Sequence, residues 1–203
     1  MADHPQFLSK PKLLIGEGEE EVRFFTALLK HLSIEDIQTE QYGGKRGLTR
    51  YLRNLPARSG YPALMALAVT RDADDNASDA FQRVRDTLRQ LRFPTPDASG
   101  RFADGSVRAG VFILPDGRNP GMLEDVCLTA IQSYPEQLCV ETYFKCVADV
   151  AHRQSNNPSK ARVHAWLASQ PEPDKRLGEA AEAGYWPWDN PAFDLLKQFL
   201  RAL

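Results

Sequence analysis

The feature that most constrains this chain is an apolar run that stops at a carboxylate held between two glycines and turns at once into a helical pattern: Leu13-Leu14-Ile15-Gly16-Glu17-Gly18-Glu19-Glu20-Glu21. A second run, Leu67-Ala68-Val69-Thr70, also ends in acid, at Arg71-Asp72-Ala73-Asp74-Asp75. Short apolar runs bounded by turn signals read as buried strands, and each is followed here by apolar residues at helical spacing. Strand–helix alternation predicts an α/β fold with a mostly parallel central sheet flanked by helices. In such a sheet both acidic sets lie at strand carboxyl ends, where open α/β sheets place their sites. Carboxylates converging there repel one another unless a cation or a proton sits among them. Oxygen-only ligands suit magnesium, manganese or calcium.

Taken in order, residues 12–15 form the first strand, and a helix from Glu19 to Leu32 carries Val22, Phe25, Leu28, Leu29 and Leu32 on one face. Residues 36–42 alternate as a second strand, and a short helix runs to about Leu55. Phe81, Val84, Leu88 and Leu91 mark the helix after the Asp-x-Asp pair, residues 93–108 an exposed loop or hairpin, and 109–114 another buried strand. Leu123, Val126, Cys127, Ala130 and Ile131 stripe the next helix. Beyond residue 135 only helices are expected. They cover 136–152, with Leu138, Tyr143, Phe144 and Val147 at helical spacing, and 158–169. An irregular but packed stretch follows over 170–191. The last helix is capped by Asp189 or Asn190 and buries Phe193, Leu196, Phe199, Leu200 and Leu203. The division is a domain over 10–135 and a helical C-terminal extension over 136–203 packed on it.

Glu17 is the leading candidate for a functional role, because it precedes the helix and small neighbours permit close approach. Glu19, Glu20 and Glu21 have a plainer reading as acids in a helix's first turn. Asp72, Asp74, Asp75 and Asp79 are either a site or a solvated loop with a cap. Gly43-Gly44-Lys45-Arg46-Gly47 is either an ordinary turn or a phosphate cradle of backbone N–H groups and cations. Asp116, Glu124 and Asp125 are either helix-dipole acids or a third acidic contribution.

Other chemistries are excluded. The four histidines are scattered, with no HExxH or zinc spacing, and no GxSxG is present. Gly16-x-Gly18 lacks the third glycine of a dinucleotide fingerprint. A net charge of −2 gives no global basic field, though a local basic patch beside an acidic site is compatible with it. No apolar run of about 18 residues exists, so no membrane contact is expected. The start Met1-Ala2-Asp3-His4-Pro5 lacks a signal core, and three cysteines without CxxC read as free thiols of a reducing cytoplasm.

Gly16-Glu17-Gly18-x-x-Glu21, Gly43-Gly44-Lys45, Arg71-Asp72-Ala73-Asp74, Leu114-Pro115-Asp116 and Gly121-Met122-Leu123-Glu124-Asp125 together resemble the Toprim domain of topoisomerases, bacterial primases, recombination-associated proteins and overcoming-lysogenisation-defect nucleases. More closely they are similar to an uncharacterised bacterial Toprim-like family, a domain of unknown function. The Toprim resemblance covers residues 10–135, and the looser family resemblance reaches the C-terminus. It implies a Rossmann-like Toprim fold and Mg²⁺- or Mn²⁺-dependent phosphodiester chemistry on nucleic acid. Glu17 would act as metal ligand or general acid/base, and Asp72 and Asp74 as ligands. Asp116, Glu124 and Asp125 would help hold a second ion, with Lys45, Arg46 and Arg71 on phosphate. No tyrosine is marked as a topoisomerase nucleophile. The two readings are a metal-dependent nuclease or related phosphotransfer enzyme, and a non-catalytic Toprim-like module binding nucleotide, nucleic acid or a protein partner.

Overall fold

The computed structural model describes residues 7–203, so the expectations for residues 1–5 lie outside it. Five strands form one sheet: β1 Lys12–Gly16, β2 Ile37–Gln41, β3 Ala66–Asp72, β4 Arg101–Ala103 and β5 Arg108–Leu114. Their spatial order is β2-β1-β3-β5-β4; all pairings are parallel except that of β4 with β5. The helices are α1 Glu19–His31, α2 Leu48–Asn54, α3 Ala77–Gln90, α4 Leu123–Ala130, α5 Pro135–Ala151, α6 Pro158–Leu167, α7 Leu177–Glu182 and α8 Asp194–Ala202. The α/β class expected from the alternating pattern is the class observed.

Each central strand is buried on both faces, so its side chains sort by the two-residue period of the pleat. Leu13, Ile15, Leu67, Val69, Val111 and Ile113 point into the core shared with α2 and α3. Leu14, Ala66, Ala68, Phe112 and Leu114 point into the other, shared with α1, α4 and the C-terminal helices. Burying such a side chain contributes roughly 1.5–3 kcal/mol, enough to fix the register, since a one-residue slip would exchange the faces.

The C-terminal helices complete that second core. Trp166 of α6 stacks on Trp186 with centroids 5.1 Å apart, and both rings are buried. The Trp186 indole N–H donates to the Leu177 carbonyl at 3.1 Å. Asn190 caps a short 3₁₀ turn, Pro191–Phe193, that feeds α8, and the five apolar residues expected to be buried there are buried.

Several expectations need correction. Residues 170–191 are not irregular throughout, because α7 forms within them and packs on α1. Residues 93–108 take the hairpin alternative, with the short strand β4 antiparallel to β5. In α5, Leu138 and Tyr143 are exposed, since the helix packs on α6 through other positions such as Val140. The three cysteines are free, with Cys127 buried. No helix among the described residues is long and apolar enough to cross a membrane.

Candidate functional site

Parallel register brings the carboxyl ends of β1, β3 and β5 to one edge, where two cavities open. One, of about 430 Å³, is lined by Glu17, Glu21, Asp72, Glu124, Lys160 and Arg176 among others. The other, of about 730 Å³, is lined by Lys45, Arg71, Asp74, Asp79, Arg83 and Asp125 among others. The Asp-x-Asp pair spans them, with Asp72 facing the first and Asp74 the second.

The acid triplet opening α1 divides three ways. Glu19 is exposed and pairs with Arg23 at 3.0 Å. Glu20 accepts the Gly178 N–H at 2.8 Å, tying α7 to α1. Glu21 turns inward and is buried, accepting the Glu17 N–H at 3.1 Å and the Thr70 hydroxyl at 3.2 Å. Gly16 is needed for this, because a Cβ there would meet the Glu21 carboxylate oxygen at 2.7 Å. The small residue before Glu17 therefore admits the chain's own second carboxylate.

Burial is the largest influence on all three inner acids. It raises the Glu21 carboxyl well above the usual range, helped by the charges of Asp72 and Glu17. Burial, then the charges of Glu124 and Glu17, pushes Asp72 up to about 8, although the Leu123 N–H donates to it at 3.1 Å. Glu17 is raised by burial, with the opposing charges of Arg71 and Lys45 offsetting part of the effect. Its Oε1 is buried without a hydrogen-bond partner, as is the Arg71 Nε that faces it at 3.8 Å. The two attract at that distance but are not hydrogen-bonded. The buried Tyr42 phenol donates to the Thr70 carbonyl at 3.1 Å and, as a hydrogen-bonding neighbour of Glu17, also counters part of the rise in its pKa.

Asp74 sits in the left-handed region at φ 52°, a conformation aspartate tolerates better than most residues. Reciprocal backbone bonds with Gly121, of 2.9 and 2.8 Å, hold it there. Its carboxylate pairs with Lys45 of the glycine loop. Gly43 and Gly44 of that loop have φ near +80°, at 82° and 79°, and the Gly44 N–H donates to the Glu17 carbonyl at 2.8 Å. The basic loop is thus fastened to the acidic strand end.

Of the remaining predicted residues, Asp116 and Arg46 lie apart from the cavities, whereas Glu124 and Asp125 line them. Asp116 lines neither cavity: it accepts the backbone N–H groups of Arg118 and Asn119 and the Asn119 amide, at 2.9, 2.8 and 2.6 Å. Burial works to raise its pKa, but those bonds outweigh it and hold the carboxyl below its ordinary value. Asp125 folds back on the Met122 N–H at 2.8 Å to cap α4 and accepts the Ser159 hydroxyl at 2.5 Å. Glu124 faces Asp72's cavity and pairs with Lys160 at 3.8 Å. Arg46 is exposed and lines neither cavity.

Glu21, Thr70, Tyr42, Lys160, Arg176 and Arg83 were not picked out as site residues by sequence reasoning. Glu21 had a signal, lying one helical turn after Glu17 and so on the same side of the strand end. The cations from α6 and α7 had none, because only the tertiary fold brings residues 160 and 176 to this edge. Among the described residues no three His, Cys, Asp or Glu side chains stand as a finished metal-ligand group. The donor chemistry nevertheless fits a hard dication: the donors are all oxygens, one buried oxygen has no partner, and the acids repel one another.

The architecture and this edge define a doubly covered, mostly parallel α/β domain with a carboxylate crevice at the strand carboxyl ends. The chain belongs to the family DUF3226, described as a protein of unknown function, whose model matches residues 11–203. Among solved structures it is similar to the hypothetical protein PH0156 from Pyrococcus horikoshii OT3, at 16% identity and a TM-score of 0.65 over 95% of each chain. The C-terminal region of the OLD protein of Xanthomonas campestris pv. campestris aligns over 97% of each chain, at 12% identity and a TM-score of 0.48. That of Burkholderia pseudomallei aligns over 96% of this chain and 99% of its own, at 15% and 0.48. No curated protein matches the chain in sequence.

Proposed function

We propose that this protein is a Toprim-like, Mg²⁺- or Mn²⁺-dependent enzyme that cleaves or transfers phosphodiesters of nucleic acid. The observation carrying the reading is the gathering of the buried Glu21 with the half-buried Glu17 and Asp72 at one sheet edge, where one Glu17 oxygen is buried without a hydrogen-bond partner. In a merely structural cluster such groups would be saturated. Glu17, Asp72 and Asp74, with Glu124 and Glu21 beside them, are the residues that would hold the ion. Asp116 and Asp125 stay with their turn and cap. When bound, such an ion supplies charge stabilisation to phosphoryl oxygens and activates water. Arg71, held at 7% side-chain exposure, is the fixed cation for a phosphoryl group, and Lys45 approaches from the loop. Glu17, one oxygen of which has no hydrogen-bond partner, would serve as ion ligand or as general base for an attacking water.

The absence of a finished ligand group favours the second reading, a non-catalytic module binding nucleotide, nucleic acid or a protein partner. Cleavage of plasmid and of labelled single-stranded DNA and RNA, with Mg²⁺ or Mn²⁺, separates the two. The enzyme reading expects metal-dependent cleavage that disappears in Glu17→Gln and Asp72→Asn. It also expects proton release on metal binding, and hence tighter binding as pH rises toward about 8, because Asp72 must ionise first. Cleavage that persists in Asp72→Asn, or divalent-ion binding insensitive to both substitutions, sinks it.

A further inference from the structure

We propose that Lys45 and Lys160 are exchangeable counter-ions of the carboxylate crevice, displaced from Asp74 and Glu124 by a divalent cation and so freed to bind phosphates of a nucleic-acid strand. The inference rests on the metal reading above and adds a coupling between metal and substrate that the reading does not itself require.

Among the described residues three ion pairs reach the crevice carboxylates, Arg71 on Glu17, Lys45 on Asp74 and Lys160 on Glu124, and these cations differ in mobility. Arg71, on Glu17, projects from the middle of the sheet with a side chain only 7% exposed, so it cannot leave. Lys45, on Asp74, is 52% exposed and stands on a glycine-rich loop. Lys160, on Glu124, is 57% exposed and stands in the first turn of α6. Among the described residues neither ammonium has a second ion pair within 4 Å, although the charges of Glu17 and Asp72 also act on Lys45. A lysine on a flexible stem is a single, strongly hydrated charge, and an exposed pair of this kind holds weakly. A dication among several carboxylates carries twice the charge and outcompetes it.

The two lysines enter from different walls, Lys45 lining the larger cavity and Lys160 the smaller. Once released, they flank the carboxylates from both sides, as a phosphodiester backbone running across the crevice requires. Metal binding then creates the positive lips of the strand site. Reciprocally, strand binding draws the lysines off the carboxylates and favours the metal, so the coupling is mutual.

The test is Mn²⁺ calorimetry on the full chain, comparing wild type, Lys45→Met, Lys160→Met, the double variant and Asp72→Asn. Alongside it, the anisotropy of a fluorescent single-stranded oligonucleotide is measured with and without Mn²⁺. Both lysines are exposed, so thermal midpoints should confirm intact folding. Each lysine variant is expected to bind Mn²⁺ about two- to fivefold tighter, the size of one exposed ion pair. Mn²⁺ should strengthen oligonucleotide binding in the wild type and not in the double variant. Mn²⁺ binding that is lost in Asp72→Asn yet unchanged or weaker in the lysine variants would overturn the exchange and leave the metal reading standing. Tighter Mn²⁺ binding with the oligonucleotide coupling intact in the double variant would overturn the transfer of the lysines to phosphate. No Mn²⁺ binding in any form, with or without oligonucleotide, would bring down the exchange and the metal reading together.

Discussion

Glu40, buried on the sheet, and the Glu17–Glu21–Asp72 group, buried or half-buried at the strand carboxyl ends, are treated in opposite ways. Glu40, on the edge strand β2, is 4% exposed and accepts Gln38 at 2.6 Å, Tyr51 at 2.6 Å, and the two terminal nitrogens of Arg58 at 2.8 and 2.7 Å. Glu21 accepts two longer bonds from neutral groups, Asp72 one from the Leu123 N–H, and the Glu17 Oε1 none. Burying a charge is tolerated when donors saturate it and is unfavourable when they do not. Glu40 is therefore a structural brace for the segment after α2 that carries Arg58. The Glu17–Glu21–Asp72 set holds protons more tightly than ordinary carboxylates do and, on the function proposed above, would exchange them for a cation. Burial alone does not distinguish a site from a brace; the donor inventory does.

The largest expected effect tests the brace. Arg58→Met leaves Glu40 buried without its cation and should destabilise the fold by roughly 3–5 kcal/mol in urea denaturation. Mn²⁺ affinity should be unchanged. A coupled loss of metal binding would join the two regions that the donor inventory separates.

Asp72→Asn sharpens the other side. Its folded pKa is raised from 3.8 to about 8, so the native state holds a proton that the unfolded chain gives up earlier. That contribution is complete below the unfolded value and is lost as pH rises through about 8. The metal-free protein should therefore lose stability across this window. Asn should flatten the slope, hold or raise stability at neutral pH, and abolish the metal response. A steep loss of stability in the metal-free variant, read by calorimetric melting, would make Asp72 a second brace.

The smallest effect separates neighbours on α4. Asp125→Ala removes a cap and should lower stability by about 1–2 kcal/mol with little change in Mn²⁺ affinity. Glu124→Gln should do the reverse. Equal effects of both on Mn²⁺ affinity would return Asp125 to the ion-holding set.

Much of this was legible in the sequence because strand and helix signals are local. The runs at 12–15, 67–70 and 109–114 and the helical stripes between them predict the sheet, and parallel topology alone then puts Glu17 and Asp72 on one edge. Residue identity could not say which acids would be saturated. Asp116 and Asp125 look equivalent to Glu124 in the sequence, yet the first closes a turn and the second caps a helix, each through backbone groups supplied by the local chain path. In α5 the helical spacing holds, yet Leu138 and Tyr143 are exposed while Phe144 packs against the core. Helical spacing says which residues share a face, but whether another element covers that face is decided elsewhere in the chain.

The sequence by itself determined the strand–helix order, the two acidic strand ends and the basic glycine loop, because each follows from residues within a few positions of one another. Only the tertiary structure decided that Glu21 turns inward over Gly16 and that Glu40 is saturated. It alone brought Lys160 and Arg176, from the C-terminal helices, to the same crevice. Those outcomes depend on contacts between residues far apart in the chain, and the spacing of one stretch carries no record of what a distant one places against it.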